Sequence, residues 1–337
     1  MGLPTEILKY FSMNIEGNLT HNFKTIGEFV KQPEYENSGN FLTIMQIIQK
    51  FKLEGYLVSV GFKAYMTGRI DFENEQLVCW NFEQDYAEYG EYDFLVLGFS
   101  HVAAHFTNSV VPIVVKDEVG DLDVGTGFLL YNTRYLVTAR HVIENKKLVQ
   151  IQNNDGLYAE AEYVIYSTNE DLDVAIIVLK NDLFDGYPPF QLREAVVLED
   201  VMTIGYPPLM HFDAFQIYET ASVNNLFKFS KGQIIAKNRA FRENIEYLII
   251  NAKVKGGNSG SPVINRNGTV IGISVKMLMD NHGKNDDPLG YGIVTPATEL
   301  SKYFNTTTEE FPTVKIPVTN VEHGFIINKH NWPDRNF

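Results

Sequence analysis

Lys255-Gly256-Gly257-Asn258-Ser259-Gly260-Ser261-Pro262-Val263 lies between two apolar runs, Tyr247 to Asn251 and Val270 to Val275. Apolar, β-branched runs on either side of a glycine cluster read as two strands joined by a tight turn. Ser259 has glycine two positions before it and one after it, so little side-chain bulk surrounds its hydroxyl. In such a turn the backbone N–H groups of Gly257 and Ser259 can point into one small cavity. Two donors converging beside a hydroxyl are what a developing oxyanion next to a nucleophile requires. A glycine–serine turn can equally be only a turn, so its meaning depends on whether the chain also supplies a base and an orienting acid.

The chain supplies both. Tyr135-Leu-Val-Thr-Ala-Arg-His141-Val142 puts a histidine just past the end of an apolar strand, anchored yet open to a groove. Asp171-Leu-Asp173-Val-Ala-Ile-Ile-Val-Leu179 puts two acids at the mouth of a strongly apolar strand. A carboxylate at that point stays wet or takes a partner such as an imidazole N–H, because an unpaired buried charge is costly. Either acid meets that requirement.

With His, Asp and Ser in this order, the chain resembles the trypsin-like, chymotrypsin-fold serine peptidases. Thr138-Ala-Arg-His141 looks like that family's Thr-Ala-Ala-His, and Asp173-Val-Ala-Ile like its Asp-Ile-Ala-Leu. Gly257-Asn-Ser-Gly-Ser-Pro262 looks like its Gly-Asp-Ser-Gly-Gly-Pro. Gly125-Thr-Gly-Phe128, Ile204-Gly-Tyr-Pro207 and Gly290-Tyr-Gly-Ile-Val-Thr-Pro296 are similar to marks of the bacterial branch with HtrA-like proteases and glutamyl endopeptidases.

The resemblance covers roughly 110 to 304 and implies roles: Ser259 as nucleophile, His141 as general base and acid, Asp173 as the acid orienting it. It also implies Gly257 and Ser259 N–H as oxyanion donors. It favours Asp173 over Asp171, which lacks the Val-Ala-Ile that follows. Asn258 stands where zymogen-activated members carry an aspartate, so activation by a new N-terminus is not expected. Arg140 replaces a small residue. By the same analogy Lys253, Val254, Ser274, Val275 and Lys276 line the specificity pocket. Two lysines there would favour an acidic side chain at the cleavage site, although Ser274 stands where glutamyl endopeptidases carry histidine and lysines on strand ends usually point to solvent. A catalytically silent binding module on this scaffold, or an esterase, are the competing readings.

Outward from these motifs, residues 109–304 show short apolar runs at regular intervals, the texture of an all-β barrel or sandwich. Strands are expected at 110–115, 127–131, 135–139, 148–152, 159–166 and 174–179. A second set is expected at 201–206, 215–223, 232–236, 247–251, 270–275 and 291–295. Two groups of six predict a mainly β fold of two six-stranded antiparallel barrels, about 109–180 and 190–304. A closing helix is expected at 296–304, and 305–337 reads as a polar tail.

Residues 1–108 read as an α+β accessory domain for regulation or target recognition. Apolar residues at helical spacing predict a helix over 40–52, with strands at 56–62, 65–72, 76–82 and 92–99. The acidic, tyrosine-rich stretch 83–93 reads as a solvated loop, the alternative being a docking site for a basic partner. His101 and His105 stand four apart, but Val102 occupies the place where a zinc hydrolase needs glutamate.

The 337 residues carry a net charge of −14 with no basic cluster, which argues against nucleic-acid binding. Neither a secretory signal nor a membrane-spanning run is visible, and Glu6 breaks a myristoylation motif at Gly2. The single cysteine, Cys79, excludes an internal disulfide framework and fits a reducing, cytoplasmic setting. Neither a metal nor a cofactor is expected. The partners expected are a protein or peptide substrate and a regulatory protein bound through residues 1–108.

Overall fold

The computed structural model describes residues 2–12, 23–36, 40–63, 71–169, 171–207, 227–239, 245–254, 257–280, 287–304 and 311–328. The chain divides into two compact units, Met1–His101 and Val102–Phe337.

The first unit is α+β. In chain order it contains α1 (Leu3–Phe11), β1 (Lys24–Thr25), α2 (Ile26–Val30), α3 (Phe41–Leu53), β2 (Val58–Phe62), β3 (Glu75–Val78), α4 (Gln84–Tyr89) and α5 (Glu91–Leu97). The strands form one antiparallel sheet in the order β1-β3-β2. The expected helix at 40–52 is α3, whose Ile44, Ile47, Ile48 and Phe51 are buried at the predicted spacing. They pack with Ile7, Leu8, Phe11 and Phe29 in one core.

Two expectations in this unit are corrected. Residues 83–93 are not a loop, and 92–99 is not a strand, because α4 and α5 occupy them. Gly90, at φ 93°, breaks the two helices apart, and Tyr92, Phe94 and Leu95 are buried. Asp93 is drawn inward by a specific task. Its carboxylate accepts from Gly2 N (2.8 Å) and Thr5 N (3.1 Å), satisfying free donors at the start of α1. The expected strand 65–72 falls largely outside the described residues.

After α6 (Phe99–Phe106), the second unit holds β4 (Val110–Lys116), β5 (Leu122–Leu129), β6 (Tyr135–Thr138), α7 (Arg140–Ile143), β7 (Leu148–Ile151), β8 (Ala161–Ser167) and β9 (Ala175–Leu179). Then come β10 (Asp200–Gly205), β11 (Lys228–Arg239), β12 (Glu246–Ile250), β13 (Pro262–Asn265), β14 (Val270–Asp280), β15 (Asp287–Pro296), α8 (Ala297–Ser301), β16 (Thr313–Val321) and β17 (Gly324–Ile327). These strands close two antiparallel barrels. One has the order β16-β17-β7-β4-β5-β6-β9-β8, the other β10-β11-β12-β15-β14-β13.

The two-barrel architecture is as expected, but the strand inventory differs. The first barrel closes with eight strands rather than six, because 305–337 is not simply a tail: β16 pairs with β8, and β17 with β7. Ile316 and Phe325 carry that closure into the core, both fully buried. In the second barrel, β13 supplies the sixth strand; the expected strand 215–223 lies outside the described residues. The most apolar strand, β9, is buried at all five positions between β6 and β8. Each large side chain buried there contributes about 1.5–3 kcal/mol.

Candidate active site

Strand pairing alone brings His141 and Asp173 together. β6 and β9 are antiparallel neighbours with Thr138 opposite Ala175, so the end of β6 and the start of β9 share one barrel rim. His141 lies three residues past Thr138, in the single turn α7, and Asp173 lies two residues before Ala175. Gly125 on β5 leaves the space that Val142 of α7 occupies.

Asp173 accepts two hydrogen bonds from the same residue. Its Oδ2 lies 2.6 Å from His141 Nδ1, and its Oδ1 accepts from the His141 backbone N at 2.9 Å. Burial pushes this carboxyl up, but the bonds and charge of His141, with a smaller effect of Lys276, outweigh it and hold the pKa below the ordinary value. An ionised carboxylate is acceptor-only, so Nδ1 carries the proton and Nε2 is left as the basic nitrogen. The imidazole is half-exposed (48%) while the carboxylate is mostly buried (14%), an arrangement that leaves the ring edge open to a ligand. Asp171 is exposed and joins neither bond; its carbonyl accepts from Tyr247 Oη at 3.2 Å.

The Ser259 turn reaches this rim through Gly260. Gly260 has φ +88°, and a Cβ there would collide with Thr126 O and Thr138 Oγ1 and lie 3.0 Å from Ala139 N. Only glycine fits such a backbone at such close approach. The turn is thereby pressed against the segment that leads, two residues later, into His141. Thr126 N donates to Ser259 O (3.0 Å), and Thr126 Oγ1 donates to Gly257 O (2.8 Å). Gly260 N donates to Ser274 O (2.8 Å) and Ser261 N to Asn258 O (2.9 Å). Among the described residues, neither the Gly257 nor the Ser259 N–H donates to a protein acceptor, and Ser259 and His141 share no hydrogen bond. Catalytic hydrogen bonds are often long before substrate binds.

Arg140 gains a structural reason. It is buried, paired with Glu144 at 3.1 Å and set over the Tyr166 ring with its guanidinium carbon 5.3 Å from the centroid. Tyr303, whose pKa burial pushes up, donates to Val174 O at 3.1 Å, next to Asp173. These residues brace the rim from behind.

Of the residues expected to line the specificity pocket, Val254, Ser274 and Val275 are buried, whereas Lys253 and Lys276 are exposed. His101 and His105 are on a helix, α6, and both are exposed. No group of three or more metal-ligating side chains occurs among the described residues. No described helix is long and apolar enough to cross a membrane. The residues missed from sequence are Thr126 and Thr138. Their only signals were the Gly125-Thr-Gly-Phe128 mark and the Thr138-Ala-Arg-His141 motif, in which neither threonine carried a role.

Comparison with known proteins bears on this geometry. The profile of the trypsin-like peptidase domain family matches residues 125–273. Serine protease HTRA1A of Danio rerio is 30% identical over 154 residues, 44% of this chain and 29% of that protein. Serine endoprotease DegS of Haemophilus influenzae is 23% identical over 178 residues, 53% of this chain and 47% of that protein. The chain thus spans less than half the length of these relatives. The solved active form of the Rv3671c protease from M. tuberculosis aligns with a TM-score of 0.48 at 24% identity, covering 66% of this chain and 87% of that one. Residues 125–273, within the unit built of two antiparallel barrels, thus match the trypsin-like peptidase domain profile, and the curated relatives that align with the chain are serine proteases.

Proposed function

We propose that the chain is a serine endopeptidase that hydrolyses peptide bonds through an acyl-enzyme. The observation that carries this reading is the two-bond clasp of Asp173 on His141, with the Ser259 turn packed by Gly260 against the segment leading into that histidine. Ser259 Oγ attacks the scissile carbonyl while His141 Nε2 takes its proton. The imidazolium is stabilised by Asp173 and returns the proton to the leaving amine. Water, activated by the same imidazole, then releases the acyl group. The N–H groups of Gly257 and Ser259 receive the oxyanion in both steps.

Incubating an unfolded protein such as casein with wild type and Ser259→Ala tests the reading. New peptide termini with wild type alone are expected; equal cleavage by both proteins would sink it. An acidic residue at the cleavage site is the preference that lysines in the pocket would give, but Lys253 and Lys276 are both exposed, which counts against it. A peptide-library profile showing cleavage after apolar or basic residues would exclude that preference.

The first unit, on this reading, targets or restrains the peptidase through a protein partner. Its compactness as a separate unit is the support. Equal activity of the full chain and the 102–337 fragment on protein and peptide substrates would count against both roles. Cys79 is the single cysteine of the sequence, so no internal disulfide can form, which fits a reducing cytoplasm. Recovery of the protein from an oxidising compartment on cell fractionation would contradict that placement.

A further inference from the structure

We infer that Thr126 is the positioning residue of the oxyanion-binding turn, holding the Gly257 and Ser259 carbonyls so that the backbone of these two residues keeps the conformation in which their own N–H groups are left for substrate. The inference rests on the peptidase reading above and deepens it.

Thr126 is fully buried on β5, in the first barrel, whereas the turn it grips belongs to the second. Its backbone N–H holds Ser259 O and its hydroxyl holds Gly257 O. The direction of the hydroxyl is forced by its neighbours. Tyr206 N, 3.1 Å away, can only donate to Oγ1, so the single hydroxyl hydrogen is committed to Gly257 O. Thr126 is itself held, because its carbonyl accepts from Thr138 Oγ1 at 2.7 Å.

The three carbonyls of Gly257, Asn258 and Ser259 are therefore all engaged, two by Thr126 and one by Ser261 N. Among the described residues the N–H groups of Gly257, Asn258 and Ser259 donate to no protein acceptor, and the two that flank Asn258 are those the peptidase reading assigns to the oxyanion. Gly257 sits at φ +81°, and a glycine has little intrinsic preference that would keep it there. An external hold is needed, and among the described residues the Thr126 hydroxyl provides it. Oxyanion donors act only when aimed at the tetrahedral oxygen, so a hold on these carbonyls affects the transition state more than substrate binding.

Thr126→Val keeps the shape and removes the hydroxyl, whereas Thr126→Ser keeps the hydroxyl. With thermal unfolding used to confirm folded protein, kcat and KM on a chromogenic peptide separate the outcomes. Thr126→Val is expected to lower kcat about 10²-fold, the size of a 1 Å misplacement, with KM little changed. Inhibition by a peptide boronate, which forms a tetrahedral adduct, should weaken in parallel, and Thr126→Ser should restore both. Should Thr126→Val fail to fold, Thr126→Cys, a weaker donor of similar size, carries the test through the same kcat loss. A folded Val or Cys variant with wild-type kcat overturns the inference while leaving the peptidase reading intact. So does a loss shared equally by kcat and KM that Thr126→Ser does not restore. Absence of turnover and of boronate binding in the wild type overturns the peptidase reading and this inference with it.

Discussion

Replacing Asp173 with asparagine tests the double clasp on His141 by chemistry rather than by bulk. In the native protein both carboxylate oxygens accept, one from the His141 backbone N at 2.9 Å and one from Nδ1 at 2.6 Å. Asparagine offers one acceptor and one donor. The backbone N–H cannot change its role, so the side-chain oxygen is committed to it and the NH₂ faces Nδ1. Nδ1 must then accept, the ring proton moves to Nε2, and the nitrogen needed to deprotonate Ser259 is blocked. The same substitution in the reference serine-protease triad lowers kcat about 10⁴-fold through the wrong tautomer, equivalent to ~5.5 kcal/mol at 1.36 kcal/mol per tenfold. The backbone N–H bond fixes the asparagine orientation here, so a loss of that order is expected in kcat on a chromogenic peptide, with KM little altered. Asp171→Asn, at an exposed carboxylate outside the clasp, is the control and should retain activity. A loss smaller than about tenfold for Asp173→Asn, or equal losses for the two variants, would refute the tautomer argument.

Three further outcomes follow from the packing and electrostatics. Gly260→Ala must hold a left-handed φ and push a methyl into Thr126 O and Thr138 Oγ1. It should destabilise the protein by about 2–4 kcal/mol in urea unfolding and lose peptidase activity, and a neutral effect would dismiss the close approach. Phe325→Ala removes a fully buried ring from the strand that helps close the first barrel. It should cost about 3–5 kcal/mol, and a loss below about 1 kcal/mol would deny β17 a place in the core. The Asp173 carboxyl has a folded pKa below its ordinary value of 3.8, so its stabilising contribution is fully present above that value and lost as pH falls through the folded pKa. The stability gap between wild type and Asp173→Asn should accordingly narrow only in that acid range, and a gap that closes near neutrality would contradict the assigned shift.

The site was legible in sequence to the extent that its parts are local. His141 and Asp173 each sit at the end of a short apolar strand, and one pairing, Thr138 with Ala175, is enough to bring them together. Ser259 lies in a turn whose glycines announce it. What was not legible depends on contacts distant in sequence. Thr126 looks like one residue among the small ones of a glycine-rich strand, and its grip on Gly257 and Ser259 arises only when the two barrels meet.

β16 escaped notice because Ile316 is its only buried residue, so it lacks the alternation that reveals a strand, and its partner β8 lies about 150 residues earlier. The segment 92–99 misled in the opposite sense. Its aromatic and branched residues favour a strand, but packing of Tyr92, Phe94 and Leu95 in the interior, with glycines at 90 and 98 marking both ends, makes it helical. Arg140 had no visible reason until Glu144 and Tyr166 were found around it.

The central claim is that Ser259 is a nucleophile activated by His141. Labelling the purified full-length protein with a fluorophosphonate and mapping the adduct by mass spectrometry tests it most directly. The account predicts one phosphonylated residue, Ser259, with labelling abolished in Ser259→Ala and strongly slowed in His141→Ala. No adduct on a protein that still cleaves peptide bonds, or an adduct at another serine, would contradict it.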